Sequence, residues 1–143
     1  MDLQHRFSIG KIQSFTWGLG YRFMHNHIIN GTEIAGFLPT SKDMQLGSGF
    51  VQDEIQLNER LKLTVGTKIQ EYTYSGLGLQ PSGRLAWMPD ERNTVWTAYS
   101  RALRTPSRID VDYYLPTYTV PPGSLNIDGG PDFEPEKLNA FEL

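Results

Sequence analysis

The feature that most restricts what this chain can fold into is a regular alternation of residue types from Ser14 to Met24. Large apolar residues fill the odd positions of this run, and small or polar residues fill the even positions up to Arg22. The odd positions are Phe15, Trp17, Leu19, Tyr21 and Phe23. Residues two apart in a β-strand project to the same face, whereas a helix would scatter this set around its surface. The run therefore predicts a strand with one apolar and one polar face.

Other segments show the same period, with weaker contrast. They cover about 3–9, 46–57, 61–74, 80–88 and 94–103, and a further strand begins near Ala140. In the sixth run Trp96 and Ala98 oppose Val95 and Tyr99, so the sequence leaves the outward face of that strand open. No segment shows a helical period. We therefore predict an all-β fold, an antiparallel up-and-down meander.

The connections between these runs differ in length in an ordered way. Predicted tight turns at 10–13, 58–60 and 89–93 alternate with connections at 25–44, 75–79 and 105–136. The last of these contains six prolines and three glycines. In a meander, alternate connections lie at opposite ends, and outer-membrane barrels combine tight periplasmic turns with long external loops. The pattern thus predicts part of a transmembrane β-barrel.

The composition excludes several classes of protein. Mean hydropathy is −0.41, and no apolar run reaches the roughly 18 residues that a membrane-spanning helix needs. A net charge of −3 provides no basic surface, so nucleic acid is not an expected partner. There is no cysteine for a disulfide or a thiolate metal site. No catalytic triad, acid/base pair or phosphate loop is present, so we predict no enzyme activity, no catalytic residue, no cofactor and no metal.

An apolar sheet face must be covered, and the pattern allows three coverings. In a membrane barrel the face meets lipid, and the aromatic pairs on either side of Leu19 match the two interfacial girdles. A passive porin-like channel would show the same pattern. A soluble β-barrel or sandwich that binds a small molecule would instead bury the face inside the protein. These alternatives remain open from the pattern.

Several strings, in this order and spacing, resemble the barrel of TonB-dependent receptors, nearest to the siderophore-receptor branch. They are GFVQDE at 49–54, RLKLTVG at 60–66, QPSGRLAW at 80–87, YSRALRTPSR at 99–108, EPEKL at 134–138 and AFEL at 140–143. The resemblance covers nearly the whole chain and is weakest in the two long connections. It implies a barrel of about 22 strands, closed by an N-terminal plug, in the outer membrane of a Gram-negative bacterium.

The resemblance also implies a function and partners. Such a receptor takes up a scarce ligand, often an iron–siderophore complex or cobalamin, when TonB pulls on the plug. The implied partners are outer-membrane lipid, the plug domain, the remaining barrel strands, TonB and a ferric siderophore or similar ligand. Met1 is followed by no secretory signal and the chain stops within a strand. We therefore expect residues 1–143 to be an internal piece of the barrel, about six strands and the start of a seventh, without the plug.

Candidate site residues lie where predicted strands reach the long connections. Arg101, Arg104 and Arg108 could hold an anionic ligand or the plug through bidentate contacts, or form structural ion pairs in a polar lumen. Tyr72 and Tyr74 could stack on a ligand, or belong to an interfacial girdle.

His25 and His27 could project from one face toward a metal, but without a nearby carboxylate we expect them to be polar loop residues.

Overall fold

Seven strands form one antiparallel sheet in the computed structural model, which describes residues 1–31, 35–130 and 132–143, with the backbone alone at 116–120. In chain order the elements are β1 (Asp2–Ile9), β2 (Gln13–His27), β3 (Gly36–Phe37), β4 (Ser41–Asn58), β5 (Leu61–Tyr72), β6 (Gly76–Trp87), β7 (Val95–Arg104), α1 (Arg108–Asp112), β8 (Tyr113–Val120), β9 (Gly123–Asp128) and β10 (Glu136–Glu142). The large sheet has the order β1-β2-β4-β5-β6-β7-β10, and β3-β8-β9 form a small second sheet. The predicted all-β antiparallel meander is confirmed.

The strand register gives the large sheet two chemically different faces. Odd-numbered residues pair with odd-numbered ones and even with even, apart from the final pair of β4 and β5. Directly paired residues project to the same side of a sheet. The odd-numbered residues of the seven strands are mostly aliphatic or aromatic, and we call their side the apolar face. The even-numbered residues include most of the charged side chains, and we call their side the polar face.

The register also assigns the faces of β7, which the sequence left open. Val95 pairs with Trp87 and Tyr99 with Gly83, so both lie on the apolar face. Trp96 lies on the polar face, where the Arg84 guanidinium carbon is 4.5 Å from its ring centroid. Trp96 is therefore a polar-face aromatic residue that stacks with a cation, and the local alternation alone could not distinguish it from an outward one.

The large sheet is one layer thick and has almost no interior. Among the described residues, Met44 is the only large apolar side chain that is buried. Large side chains along the apolar face stay open, with Leu19 58%, Phe23 53% and Trp87 51% exposed. A sheet face of this kind requires a covering from outside the described chain.

The two ends of the sheet are built differently, as the predicted alternation of connections requires. Tight turns join β1 to β2 and β4 to β5 at one end, which we call the inner end. The first of them uses Gly10 at φ 65°, a left-handed conformation that glycine adopts without a side-chain clash. The long connections lie at the opposite end, which we call the outer end.

The predicted connection at 75–79 is wrong, because β6 already begins at Gly76. A shorter turn joins β5 to β6, with Gly76 at φ 62°. Leu77 and Leu79 alternate with glycines and continue the apolar face of β6. Glycine weakens the sequence signal of a strand, so these residues looked like a loop.

Both long connections contain structure that the sequence did not predict. The predicted structureless stretch 105–136 contains α1, β8 and β9, and β3 lies within 25–44. β3 pairs with β8 through Gly36 and Tyr114, so the two connections form one unit. Residues 32–34 and 131, which the predicted loops also included, lie outside the described part. No helix in the described residues is long and apolar enough to cross a membrane.

Candidate functional site

A buried ion cluster ties the outer connections together, and its centre is an arginine–aspartate pair on α1. The Arg108 and Asp112 side chains are 7% and 4% exposed. They lie one helical turn apart, and Arg108 Nε donates to Asp112 Oδ2 at 3.1 Å. Ser107 begins the helix, and its backbone N–H and hydroxyl both donate to the Asp110 carboxylate at 2.8 Å. This contact fixes the helix start.

The Asp112 carboxylate also holds two other parts of the chain. Lys42 Nζ, from the outer end of β4, lies 3.1 Å from Asp112 Oδ1. The Tyr74 hydroxyl, from the turn between β5 and β6, donates to Asp112 Oδ2. Lys42 Nζ also lies 4.7 Å from the centroid of the Tyr74 ring. One carboxylate therefore accepts hydrogen bonds from three separate elements.

The Arg108 guanidinium connects the cluster to the first long connection. It donates to Asn26 Oδ1 at 2.6 Å and to the carbonyl oxygen of Pro39. Its central carbon lies 5.3 Å from the Phe37 ring centroid. The backbone strengthens this link, because Leu38 N–H donates to the Asp112 carbonyl at 2.8 Å. Each of the three guanidinium nitrogens thus donates to an acceptor, which offsets the cost of burying the charge.

The surroundings of the buried cluster determine the protonation states of Asp112 and Tyr74. Burial alone would raise the pKa of Asp112, but hydrogen bonds from Tyr74, Lys42 and Arg108 outweigh burial and lower it. Burial, followed by the hydrogen bond to Asp112, raises the pKa of the Tyr74 hydroxyl well above its ordinary value. Asp112 is therefore ionised and Tyr74 neutral over a wide pH range, which is the state that the geometry needs.

The predicted site residues divide into three environments. Arg108 and Tyr74 belong to the buried cluster, and their polar groups contact other parts of the chain. Arg104 and Tyr72 lie on the polar face near the outer end. Arg101 lies on the apolar face. The structure therefore does not bring the five residues into one site.

The predicted site residues that lie in strands have different contacts and different solvent exposure. Arg104 Nη1 lies 2.6 Å from Glu136 Oε1, and both side chains are about 70% exposed. The Tyr72 hydroxyl lies 3.5 Å from Met44 Sδ.

On the other face, Arg101 Nε and the Tyr99 hydroxyl donate to Asn139 Oδ1 at 2.9 and 3.1 Å. Whether any of these side chains contacts a ligand or the plug stays a prediction.

The expectation for the two histidines is wrong in two respects. His25 and His27 lie in β2 rather than in a loop, and a carboxylate is close, since His25 Nδ1 is 2.6 Å from Asp43 Oδ1. His27 Nδ1 lies 2.5 Å from Ser41 Oγ. In the described residues no group of three or more potential ligands has a metal-binding arrangement. The longer β4, which reaches back to Ser41, brings these partners opposite β2.

The polar face contains a groove that the sequence reasoning did not identify. It has a volume of about 510 Å³ and lies across β4 to β7, toward the inner end. Lys62 Nζ lies 2.6 Å from Glu54 Oε2 at its edge, and Arg6 Nη2 lies 3.7 Å from the same oxygen. Arg84 lines it further along the face. The polar and charged residues at the even positions of these strands are visible in the sequence. Only the strand register shows that they lie together in space.

A one-layer antiparallel meander with an apolar face, a polar face and long connections at one end is the architecture of an outer-membrane barrel wall. The sequence matches the family model described as "TonB dependent receptor-like, beta-barrel" over residues 1–143. The chain therefore belongs to the TonB-dependent receptor β-barrel family, which confirms the resemblance seen in its sequence strings. The members of this family are receptors and transporters of Gram-negative outer membranes.

Solved receptor structures share this fold. A variant of the ferric enterobactin receptor PfeA from Pseudomonas aeruginosa has a TM-score of 0.77 at 18% identity, over 95% of this chain and 22% of that one. The siderophore receptor PirA from Pseudomonas aeruginosa has 0.74 at 18%, over 95% and 26%, and PirA from Acinetobacter baumannii 0.72 at 15%, over 95% and 22%. The chain thus spans 22–26% of their length, and the likeness shows the fold alone. No curated protein matches the sequence.

Proposed function

We propose that this chain forms part of the barrel wall of an outer-membrane receptor for TonB-coupled uptake of a scarce ligand, such as an iron–siderophore complex. In this proposal residues 1–143 are an internal part of the barrel, and the plug domain and remaining strands belong to the same receptor. The apolar face contacts lipid, and the polar face lines the lumen and meets the plug. The outer connections face the cell exterior, where the ligand arrives.

The observation that supports this proposal is the division of side chains between the two faces of a one-layer sheet. An exposed aliphatic and aromatic face such as that around Leu19 is costly in water and favourable in hydrocarbon. The polar face has paired charges and a groove, as expected for a wall that contacts water or a polar plug. Neither face has a covering within the described chain.

The buried cluster supports a receptor with a shaped external surface. A binding surface must be held in place before the ligand arrives if affinity is to be high. Arg108 and Asp112 hold the two long connections together, and we propose that they act on the ligand indirectly, by fixing these loops. Arg104 and Tyr72 lie on the polar face, and we propose them for contact with the ligand or the plug. Arg101 projects from the apolar face, so we leave it out of this set.

The assignment of the faces can be tested by spin labelling in lipid vesicles. A cysteine-free form of the full-length receptor would receive a single nitroxide at Leu19→Cys or Val65→Cys on the apolar face, or at Ser48→Cys on the polar face. We expect oxygen, which concentrates in hydrocarbon, to collide most with the first two labels. A label at Ser48 with the highest oxygen accessibility and low values at Leu19 and Val65 would reject the lipid-facing assignment.

Uptake itself can be tested in cells that express the full-length receptor as their only route for iron. We expect growth on at least one member of a panel of ferric siderophores, and we expect it to disappear when TonB is deleted. Growth that survives the deletion, together with diffusion of unrelated small solutes, would instead indicate a passive porin-like channel. Loss of growth on deletion of the receptor gene, with recovery from a plasmid copy, is the control.

A further inference from the structure

Two of the three histidines of the chain form a pair at the outer end of β2. His25 and His27 lie two residues apart, so their side chains project from the same face of the strand. This face continues the apolar face beyond the exposed aromatic residues Tyr21 and Phe23. Both imidazoles are exposed, and the His25 side chain is 61% accessible. His5, the third histidine, lies among aromatic rings near β1 and β2, so only the pair can offer two imidazoles to one ligand.

Each imidazole of the pair is held by a residue of β4 through the same ring nitrogen. His25 Nδ1 lies 2.6 Å from Asp43 Oδ1, and His27 Nδ1 lies 2.5 Å from Ser41 Oγ. An ionised carboxylate can only accept, so neutral His25 carries its proton on Nδ1. The Ser41 hydroxyl can accept the Nδ1 proton of His27 in the same way. Neither Nε2 has a hydrogen-bond partner within the described part of the chain, so both are free to coordinate a ligand.

The backbone that carries the pair is held from its other side by the buried cluster. β2 and β4 pair along the whole of this segment, from Gln13 to His27 on β2. The neighbouring even-numbered residues contact the cluster: Arg108 Nη1 donates to Asn26 Oδ1 at 2.6 Å, and Lys42 Nζ donates to Asp112 Oδ1 at 3.1 Å. The two strands are therefore positioned before a ligand arrives, which lowers the entropy lost when the pair binds it.

We propose that His25 and His27 bind a divalent first-row transition-metal ion through their Nε2 atoms, with copper(II) bound most tightly. Asp43 and Ser41 are positioning residues that orient the two rings. Imidazole nitrogen suits zinc, nickel and copper, and copper(II) forms the most stable complexes of the three. A carboxylate that accepts the other ring N–H makes the coordinating nitrogen more basic, and Asp43 does this for His25. The inference goes beyond the proposed function and does not depend on it, because the pair has the same geometry whichever face meets lipid.

The spacing of the pair fits the chelation of one ion. Cα atoms two residues apart in a strand lie about 6.7 Å apart, and two nitrogens at about 2 Å from one metal lie about 3 Å apart. Both side chains are exposed, so the rings can lean together without displacing packed groups. Within the described residues no group of three or more such side chains can hold a metal. The site therefore has two protein ligands, and water fills the remaining coordination positions.

Copper binding can be measured by calorimetric titration of the metal-free full-length receptor in detergent, with free glycine as a competing chelator. We expect the wild type to bind an additional copper(II) ion that the double variant His25→Gln/His27→Gln does not bind. Each single variant should bind this ion at least about tenfold more weakly, because one imidazole no longer holds the ion near the other. His5→Gln is the matched control and should bind copper(II) like wild type.

Pulsed electron paramagnetic resonance identifies the ligands of the bound copper(II). Subtracting the spectrum of the double variant from that of the wild type should leave the nitrogen modulation pattern of two equatorial imidazoles. Asp43→Asn should keep this pattern but weaken binding about tenfold, because an acceptor remains while its negative charge is lost. Nickel(II) and zinc(II) should bind the same site more weakly than copper(II), and magnesium(II), which prefers oxygen ligands, should not bind there.

Several results would contradict the metal site. Equal copper binding in the wild type and the double variant would overturn the proposal altogether. The pattern of a single imidazole would reject chelation by the pair, and an equal loss in His5→Gln would show unspecific binding to histidine. An unchanged affinity in Asp43→Asn would reject the positioning role of that carboxylate. Heat-dependent mobility in detergent gels confirms that each variant is folded before binding is measured. Uptake that does not need TonB would reject the proposed function but leave the copper site intact.

Discussion

At the scale of single residues, Asp112 is as central to the buried cluster as Arg108, although the sequence identified only Arg108. Its carboxylate joins α1, the outer end of β4 and the turn after β5, and its backbone carbonyl holds Leu38. The sequence singled out Arg108 and Tyr74 but not this carboxylate, because an aspartate in a proline-rich loop has no local pattern. Arg108 and Tyr74 were noticed as possible ligand contacts, and their partners became visible only in three dimensions.

Removing the carboxylate should open the outer connections without unfolding the barrel. Asp112→Ala leaves Arg108 buried without its counter-charge, a change that costs about 3 kcal/mol or more. We expect the amides of residues 36–38 and 113–114 to lose protection from hydrogen exchange in the full-length receptor. Asp128→Ala is the control, because that exposed carboxylate lies in the same small sheet and its described side-chain partner is the nearby Asn126. Equal protection in wild type and Asp112→Ala would contradict the role given to the cluster.

The same cluster should respond to pH at both extremes. The pKa of Asp112 in the folded state lies below its ordinary value of 3.8, so its contribution is complete above that value and is lost as the pH falls toward the lowered pKa. The pKa of Tyr74 is raised above 10.0, so its contribution is lost only as the pH rises beyond that value.

Hydrogen exchange at 36–38, corrected for the intrinsic rate at each pH, measures both losses. We expect protection to be flat between these limits, with Asp112→Asn removing the acid limb and Tyr74→Phe the alkaline limb. Acid and alkaline limbs that persist in both variants would show that other groups control the loops.

At the scale of elements, the meander strands could be predicted because the residue pattern that specifies each strand lies within the strand itself. Alternation along β2 identifies the strand and its two faces. The small sheet could not be predicted in this way, since β3 is two residues long and pairs with β8 far along the chain. α1 spans five residues, which is too short to show a helical period. The start of β6 was missed because glycines interrupt its pattern.

Glycine also has a specific packing role in one strand pair. Gly18 on β2 pairs with Phe50 on β4, and the phenyl ring lies over the glycine on the polar face. A side chain at position 18 would collide with that ring and approach the Leu3 carbonyl oxygen to 2.9 Å. We expect Gly18→Ala to lower the free energy of unfolding by about 1–3 kcal/mol.

The control is Gly47→Ala, because a methyl group there meets no atom within 4 Å. Urea unfolding of the full-length receptor in lipid vesicles measures both changes. A loss at Gly47→Ala as large as that at Gly18→Ala would mean that strand flexibility, rather than the ring contact, accounts for the effect.

At the scale of the whole molecule, the sheet has two faces and almost no interior, so its stability depends on what lies outside it. Met44 is the one buried large apolar side chain among the described residues, far too little for a soluble domain of this length. The sequence predicted this arrangement because a membrane barrel strand needs only alternation, not a core. It could not predict the ligand, because no described residue of the outer connections shows which molecule they bind.

A new charge should have opposite effects on the two faces of the sheet when it is introduced at the same depth. Leu19 on the apolar face pairs with Gly49, and Ser48, the residue before Gly49, lies on the polar face. If the apolar face meets lipid, as we propose, Leu19→Arg places a guanidinium in hydrocarbon, and we expect a loss of about 2–4 kcal/mol of unfolding free energy in lipid vesicles. In the same proposal Ser48→Arg places the guanidinium in the lumen, where we expect a loss below about 1 kcal/mol. A larger loss at Ser48→Arg would reverse the faces and support a soluble barrel with an apolar interior.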